Sequence, residues 1–126
     1  MTNNYRETVM DRVEQAAPDL SGQHRLTFKP CFGAVAGYID DKVFITCGKF
    51  GLALRLPGAT LTGLFASGQG SALKYFEKGH IKKEYAVLCP TLLEDEAGFR
   101  QLLQTAISYV DVLAKPIKAK STKSKP

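Results

Sequence analysis

The spacing of apolar residues near the N-terminus is helical. They recur every three or four positions among charged residues, at Tyr5, Val9, Val13 and Ala16. This spacing predicts an amphipathic helix over residues 5–17 that ends at Pro18, because proline cannot continue a helix.

A longer helix with a clearer pattern is predicted over residues 95–114. Its apolar positions fall on one face at the 3.6-residue period, at Phe99, Leu102, Leu103, Ala106, Ile107, Val110 and Leu113. Polar residues fill the opposite face. Tyr109 and Val112 lie beside the apolar stripe, so we expect them to be partly exposed and available for self-association. An exposed sheet edge is the alternative surface for self-association.

Between these helices the pattern changes to β-branched and aromatic residues broken by glycine. Four strands are predicted over residues 26–32, 34–39, 42–47 and 50–56. Asp40-Asp41 and Gly48-Lys49 tolerate the positive φ that two-residue hairpin turns require. Strands that follow one another in sequence should therefore pair antiparallel, as a meander.

The second half of the chain adds a short helix over residues 59–66, a flexible connection over 67–71, and strands over 73–76 and 84–89. Pro90 ends the last strand before a turn through Leu92 and Leu93. The predicted fold class is α+β, with two layers: an antiparallel sheet of five to six strands packed with helices, in the order α-β-meander-α-β-β-α.

Length and charge indicate one domain with a basic tail. The chain has 126 residues, which suits a single core. Five of its 17 basic residues lie within residues 115–126. The preceding 114 residues contain 12 basic and 12 acidic residues. We therefore expect a neutral domain over residues 1–114 and a disordered, lysine-rich tail over residues 115–126.

Two segments are candidates for nucleic-acid contact. Within residues 74–83, lysines alternate with aromatic residues, and the candidate contacts there are Lys74, Tyr75, Lys78, Lys82 and Lys83. The tail lysines are Lys115, Lys118, Lys120, Lys123 and Lys125. Both have plainer interpretations, since lysines protect edge strands and basic tails increase solubility.

The sequence offers no convincing catalytic or metal-binding motif. Cys31, Cys47 and Cys89 form no close pair with one another or with His24 and His80, so neither a zinc site nor a cofactor is expected. Cys31 or Cys89 with His80 could form a thiol nucleophile and base, but buried structural cysteines are more common. The unpaired cysteines and the lack of an apolar leader or membrane span favour a reduced, cytoplasmic protein.

Several motifs, taken in order, resemble the TfoX N-terminal domain family. They are Cys31-Phe32-Gly33, Asp40-Asp41 followed by Lys42-Val43-Phe44, and the strand from Lys83 through Glu84-Tyr85 to Pro90. Asp41 stands where the family usually carries glycine. The resemblance implies a two-layer fold similar to secretion chaperones, self-association and no catalytic residues.

These observations predict a small, non-enzymatic, homodimeric regulatory or interaction module in the cytoplasm. The resemblance associates it with transcription or competence without fixing the process, and no membrane partner is expected. The first alternative is a nucleic-acid-associated protein that uses the 74–83 segment and the tail. The second is a thiol enzyme.

Overall fold

The computed structural model describes residues 5–31, 33–74 and 82–113. Within these residues five helices and six strands follow one another: α1 (Tyr5–Ala16), α2 (Leu20–Gln23), β1 (Leu26–Cys31), β2 (Ala34–Ile39), β3 (Lys42–Gly48), β4 (Gly51–Arg55), α3 (Gly58–Ser67), β5 (Gly70–Leu73), β6 (Lys82–Leu88), α4 (Pro90–Glu94) and α5 (Glu96–Asp111). The predicted α+β class is confirmed. The predicted tail, residues 115–126, lies outside the described residues.

The six strands form one open antiparallel sheet in the order β1-β2-β3-β4-β6-β5. The first four strands pair in sequence order, which confirms the predicted meander. β6 then lies between β4 and β5. Because β6 is antiparallel to both neighbours, β4 and β5 run in the same direction, and α3 makes the crossover between them.

The turn between β2 and β3 has the predicted two-residue form. Ile39 pairs with Lys42, and the two residues between them, Asp40 and Asp41, have φ values of 51° and 70°. Two successive positive φ values are the signature of the turn type that matches the twist of a hairpin. Asp adopts this conformation at a lower steric cost than most residues other than glycine.

The turn between β3 and β4 is centred one residue later than predicted. Gly48 pairs with Gly51, so Lys49 and Phe50 form the loop, and the positive φ, 116°, belongs to Gly51. Gly48 serves packing instead, because a Cβ there would lie 2.7 Å from the Cβ of Ala34. A glycine chosen for close approach of two strands is indistinguishable in sequence from a turn glycine.

The strand predicted over residues 73–76 lies earlier, as β5 from Gly70 to Leu73, and shares only Leu73 with the prediction, while residues 75 and 76 lie outside the described residues. The prediction of a flexible connection over residues 67–71 was therefore wrong for its last two positions. Gly68 ends α3 with a φ of 79°. Gly70 lets β5 pass directly beneath α3, since a Cβ there would lie 3.1 Å from the Cβ of Leu64. The strand assignment depends on this tertiary contact, which local sequence does not encode.

One face of the sheet carries the core. Every helix contributes its buried residues to a single apolar cluster with that face, and α5 supplies Phe99, Leu103, Ala106, Ile107 and Val110. These five belong to the apolar face predicted for this helix. Asp95 caps α5 by accepting a hydrogen bond from the Gly98 N–H at 3.2 Å.

The opposite face of the sheet carries both small and large side chains, among them Arg55 and Tyr85. One row of registered positions crosses five strands through Lys29, Ala36, Thr46, Ala53 and Val87. Registered neighbours point to the same face, and this row alternates with the core residues of each strand. Three residues of the row, Ala36, Thr46 and Ala53, are almost fully buried, although none of the row belongs to the core cluster.

Two short helices, α2 and α4, were not predicted. The α4 segment was expected to be a turn through Leu92 and Leu93, but it forms one helical turn with Pro90 at its first position, where proline is well tolerated. Across the described ranges, no helix has the length and apolar character needed to cross a membrane.

Candidate functional site

The residues predicted to contact nucleic acid are only partly described. Lys74 is exposed immediately after β5, and Lys82 and Lys83 form the start of β6. The side chains of those two lysines, together with Tyr75 and Lys78, lie outside the description, as do the tail lysines Lys115, Lys118, Lys120, Lys123 and Lys125. The nucleic-acid interface therefore stays a prediction.

The three cysteines occupy different environments, and His80, the base considered for Cys31 or Cys89, lies outside the described residues. Cys47 is a free, buried thiol in β3 that faces the core. Burial raises the pKa of the Cys47 thiol above its ordinary value, and the positive charge of Arg12 offsets only part of that effect. Cys89 is free and half-buried just before α4, and the side chain of Cys31 is not among those described. Because the thiolate is the nucleophile, a raised pKa makes the Cys47 thiol a poorer nucleophile.

Three side chains that the sequence did not connect meet at one end of the domain. His24 follows α2, Asp40 lies in the turn between β2 and β3, and Asp111 ends α5. The imidazole Nδ1–H of His24 donates a hydrogen bond of 2.7 Å to Oδ2 of Asp40. Nδ1 of His24 also lies 3.9 Å from Oδ1 of Asp111. We name these three residues the His24 cluster.

Backbone contacts fix the position of the Asp40 carboxylate. Its Oδ1 accepts a hydrogen bond of 3.0 Å from the Arg25 N–H, while the Asp40 N–H donates to the Arg25 carbonyl at 2.9 Å. The Arg25 guanidinium in turn forms an ion pair with Asp41. The hairpin turn is thereby joined to the chain entering β1, and the carboxylate of Asp40 is oriented toward His24.

The α5 end of the cluster is held by a lysine. Lys42 is only 6% exposed, and its ammonium donates hydrogen bonds to the carbonyl oxygens of Asp111 at 3.1 Å and Leu113 at 3.2 Å. These carbonyls lie at the negative end of the α5 dipole, where a cation is stabilising. The ammonium is engaged by the backbone and leaves the Asp111 carboxylate half exposed, at 51%.

Sequence reasoning missed this cluster because it compared His24 only with cysteines and assigned Asp40 only to a turn. Asp111 lies 71 positions after Asp40 along the chain, and a single sequence gives no signal for such a contact. An imidazole and two carboxylates can serve as a hydrogen-bonded junction or as ligands for a cation.

The residues predicted for self-association lie together at the end of α5. Val112 is 80% exposed, more than Met10 at 40% and Phe65 at 44%, which are the other large apolar residues exposed in the described part of the chain. Tyr109 is half-buried against the core. Beside it is an open groove of about 500 Å³ lined by Pro57, Gln101, Gln104, Thr105, Ser108 and Tyr109. We name Val112, Tyr109 and this groove the α5 flank.

Neither edge strand of the sheet is well suited to pair with an additional strand. At the β1 edge, the Arg6 guanidinium donates to the Phe28 carbonyl at 3.0 Å. Pro30, two residues on, presents its backbone to the same side and has no N–H to donate. The other edge strand, β5, has four residues. Blocked and short edges both disfavour strand addition.

The chain matches no family model, no curated protein and no solved structure. The resemblance to the TfoX N-terminal domain therefore depends on the sequence motifs alone.

Proposed function

We propose that this chain is a cytoplasmic, non-enzymatic interaction module of the TfoX N-terminal type, and that it acts as a homodimer formed through the α5 flank. The observation that carries the proposal is the exposure of Val112 at 80% beside the half-buried Tyr109. A β-branched residue and an aromatic residue next to a groove provide apolar anchors together with a pocket to receive them.

The charge of the α5 flank favours a second copy of the chain as the partner. A two-fold contact sets a surface against itself, so each charged residue near the axis would meet its own equivalent. The residues lining the groove and Val112 are all uncharged at neutral pH. The flank can therefore face its own copy without repulsion between like charges.

The sheet edges are weaker candidates for the same interface. Pairing along β1 would have to displace the Arg6 hydrogen bond to Phe28 and would gain no donor at Pro30. Pairing along β5 would add few hydrogen bonds because the strand is short. Packing through α5 displaces no hydrogen bond of the sheet and does not depend on strand length. This supports the α5 flank as the dimer contact.

A non-enzymatic role rests on the family resemblance, which implies no catalytic residues. Of the residues of the thiol-enzyme alternative, Cys89 is free and half-buried, whereas His80 and the Cys31 side chain lie outside the described residues. A regulatory role in transcription or competence rests on the family resemblance. The alternative of nucleic-acid association rests on the 74–83 segment, of whose candidate side chains only that of Lys74 is described, and on the tail lysines.

Light scattering of the full chain tests the proposal directly, at low and high salt, with and without a short random DNA duplex. We expect a mass of about twice 13.8 kDa that changes with neither salt nor DNA. A monomer mass under all conditions would contradict the homodimer.

The nucleic-acid alternative predicts a different result in the same series. Five phosphate contacts from the tail would give a salt slope of about −4.5 and a complex that dissociates as salt increases. Removing residues 115–126 should then weaken DNA binding at low salt. If the truncated and full chains bind DNA equally, the tail has no such role.

A further inference from the structure

The His24 cluster brings a nitrogen and two carboxylate oxygens to one point from three separate elements. All three potential ligand atoms lie within 4.8 Å of one another. His24 is 16% exposed and Asp40 is 32% exposed, so two of the three side chains are partly withdrawn from solvent. The site shares no residue with the α5 flank, although Asp111 directly precedes Val112.

We propose that His24, Asp40 and Asp111 form a binding site for a first-row transition-metal dication, with Zn²⁺ as the best match. A ligand set of one imidazole nitrogen and two carboxylate oxygens favours such an ion over Mg²⁺ or Ca²⁺, which prefer all-oxygen sites. Three protein ligands leave a fourth tetrahedral position for water.

The present geometry lies close to that required for coordination. Zn²⁺ binds nitrogen and oxygen ligands at about 2.0–2.2 Å, so adjacent tetrahedral ligand atoms lie roughly 3.3–3.5 Å apart. The observed separations from Nδ1 of His24 are 2.7 Å to Asp40 and 3.9 Å to Asp111, one shorter and one longer than this range. Adjustments of less than about 1 Å place each oxygen within this range of Nδ1, and the two oxygens themselves lie no more than 4.8 Å apart.

Asp111 is the ligand that can move most easily to complete the site. Asp111 is 51% exposed, and among its own atoms it is the backbone carbonyl that Lys42 holds. Asp40 is already oriented by the Arg25 N–H through Oδ1, which leaves Oδ2 directed at His24. The imidazole must exchange its Nδ1–H bond to Asp40 for a metal bond, which requires the neutral tautomer that carries its proton on Nε2 and leaves Nδ1 free to coordinate.

The surrounding charges also favour a dication. Asp40 and Asp111 together contribute two negative charges, and α5 directs the negative end of its dipole to the same place. The neighbouring cations have other partners: Lys42 is bound to carbonyls and Arg25 to Asp41. The ion would neutralise the two carboxylates and tie α5 to the β2–β3 turn.

Isothermal titration of the full, chelator-treated chain with ZnCl₂ tests the site, with MgCl₂ as the comparison ion. We expect one Zn²⁺ to bind per chain and Mg²⁺ to bind weakly or not at all. Asp111→Asn should lower the Zn²⁺ affinity at least ~10-fold, since even an outer-shell partner is worth that much. His24→Gln should lower it further.

Asp11→Asn is the matched control, because it removes the same charge from an exposed position on α1. It should bind Zn²⁺ like the parent chain. Asp111→Asn changes a half-exposed side chain, so it keeps the test decisive even if His24→Gln fails to fold. Absence of Zn²⁺ binding, or unchanged affinity in Asp111→Asn, would overturn the proposal.

Co²⁺ as a spectroscopic substitute separates this site from the cysteines. Coordination by His24 and the two aspartates should give only weak visible bands, which Asp111→Asn diminishes. An intense near-ultraviolet band from thiolate ligation would show that the ion binds cysteine, and would also overturn the proposal.

Discussion

The Lys42 ammonium donates a 3.1 Å hydrogen bond to the carbonyl oxygen of Asp111, joining the first residue of β3 to the last residue of α5. A second bond of 3.2 Å reaches the Leu113 carbonyl. Lysine is seldom buried without partners because desolvation of its charge is costly. Here the helix C-terminus supplies acceptors and a favourable dipole, so the lysine caps the helix that carries the α5 flank.

Replacing Lys42 with methionine should destabilise the domain. Methionine keeps most of the aliphatic volume but leaves the carbonyls of Asp111 and Leu113 without their charged donor, at a cost of about 1.5–3 kcal/mol. Urea unfolding measures this cost. Lys49→Met, at an exposed position in the next hairpin, is the control and should change stability by less than about 0.5 kcal/mol. Equal stability of the two variants would contradict the capping role.

The backbone strain caused by the positive φ at position 41 can be measured by comparing glycine and alanine there. Asp41→Gly and Asp41→Ala both remove the ion pair with Arg25, so their difference isolates backbone strain. At a φ of 70°, the glycine variant should be more stable by about 1–2 kcal/mol. The midpoint of thermal unfolding checks this order, and a more stable alanine variant would show that the turn has another form.

Gly37 is required for close packing between three strands. A Cβ there would lie 2.7 Å from Cγ2 of Ile45 and 2.8 Å from Cε1 of Phe28. Gly37→Ala should therefore cost about 1–3 kcal/mol. Gly63→Ala in α3 meets nothing within 4 Å and should stabilise the helix by about 0.5–1 kcal/mol. The two unfolding free energies should change in opposite directions, and a shared direction would refute this explanation.

The raised pKa of Cys47 predicts a loss of stability in alkaline solution. Above the ordinary thiol pKa of 9.0 the unfolded chain releases this proton, whereas the folded chain retains it because of burial. The stabilising contribution is therefore complete below pH 9.0 and is lost as the pH rises toward the folded pKa. Urea unfolding from about pH 8 to about pH 10 should show a steeper decline for the parent chain than for Cys47→Ala. If the unfolding free energies of the two proteins decline in parallel, the proposed contribution of Cys47 is contradicted.

Local patterns in the sequence determine much of this fold. The period of the apolar residues in α5 and the meander from β1 to β4 were predictable, because helix faces and hairpin turns are encoded over short stretches. The placement of β5 was not predictable. It depends on the contact between Gly70 and Leu64 and on the insertion of β6 beside β4, which are tertiary effects.

The candidate sites were predictable to different extents. Tyr109 and Val112 could be identified because exposure follows from position on a helical wheel. The His24 cluster could not be identified, since Asp111 reaches His24 only when α5 packs across the sheet. The capping role of Lys42 could not be predicted either. In the sequence it is a polar residue at the start of a strand, and the carbonyls that it binds lie about 70 positions away.

The central claim, a homodimer formed through the α5 flank, is tested most directly by sedimentation equilibrium of four proteins. These are the parent chain, Tyr109→Lys, Val112→Lys and, as a control, Phe65→Lys, which removes an exposed apolar side chain from α3. We predict a dimer mass for the parent and the Phe65 variant and a monomer mass for both flank variants, because a lysine there would face its own copy. A dimer mass that persists in both flank variants, or a monomeric parent chain, would contradict the account.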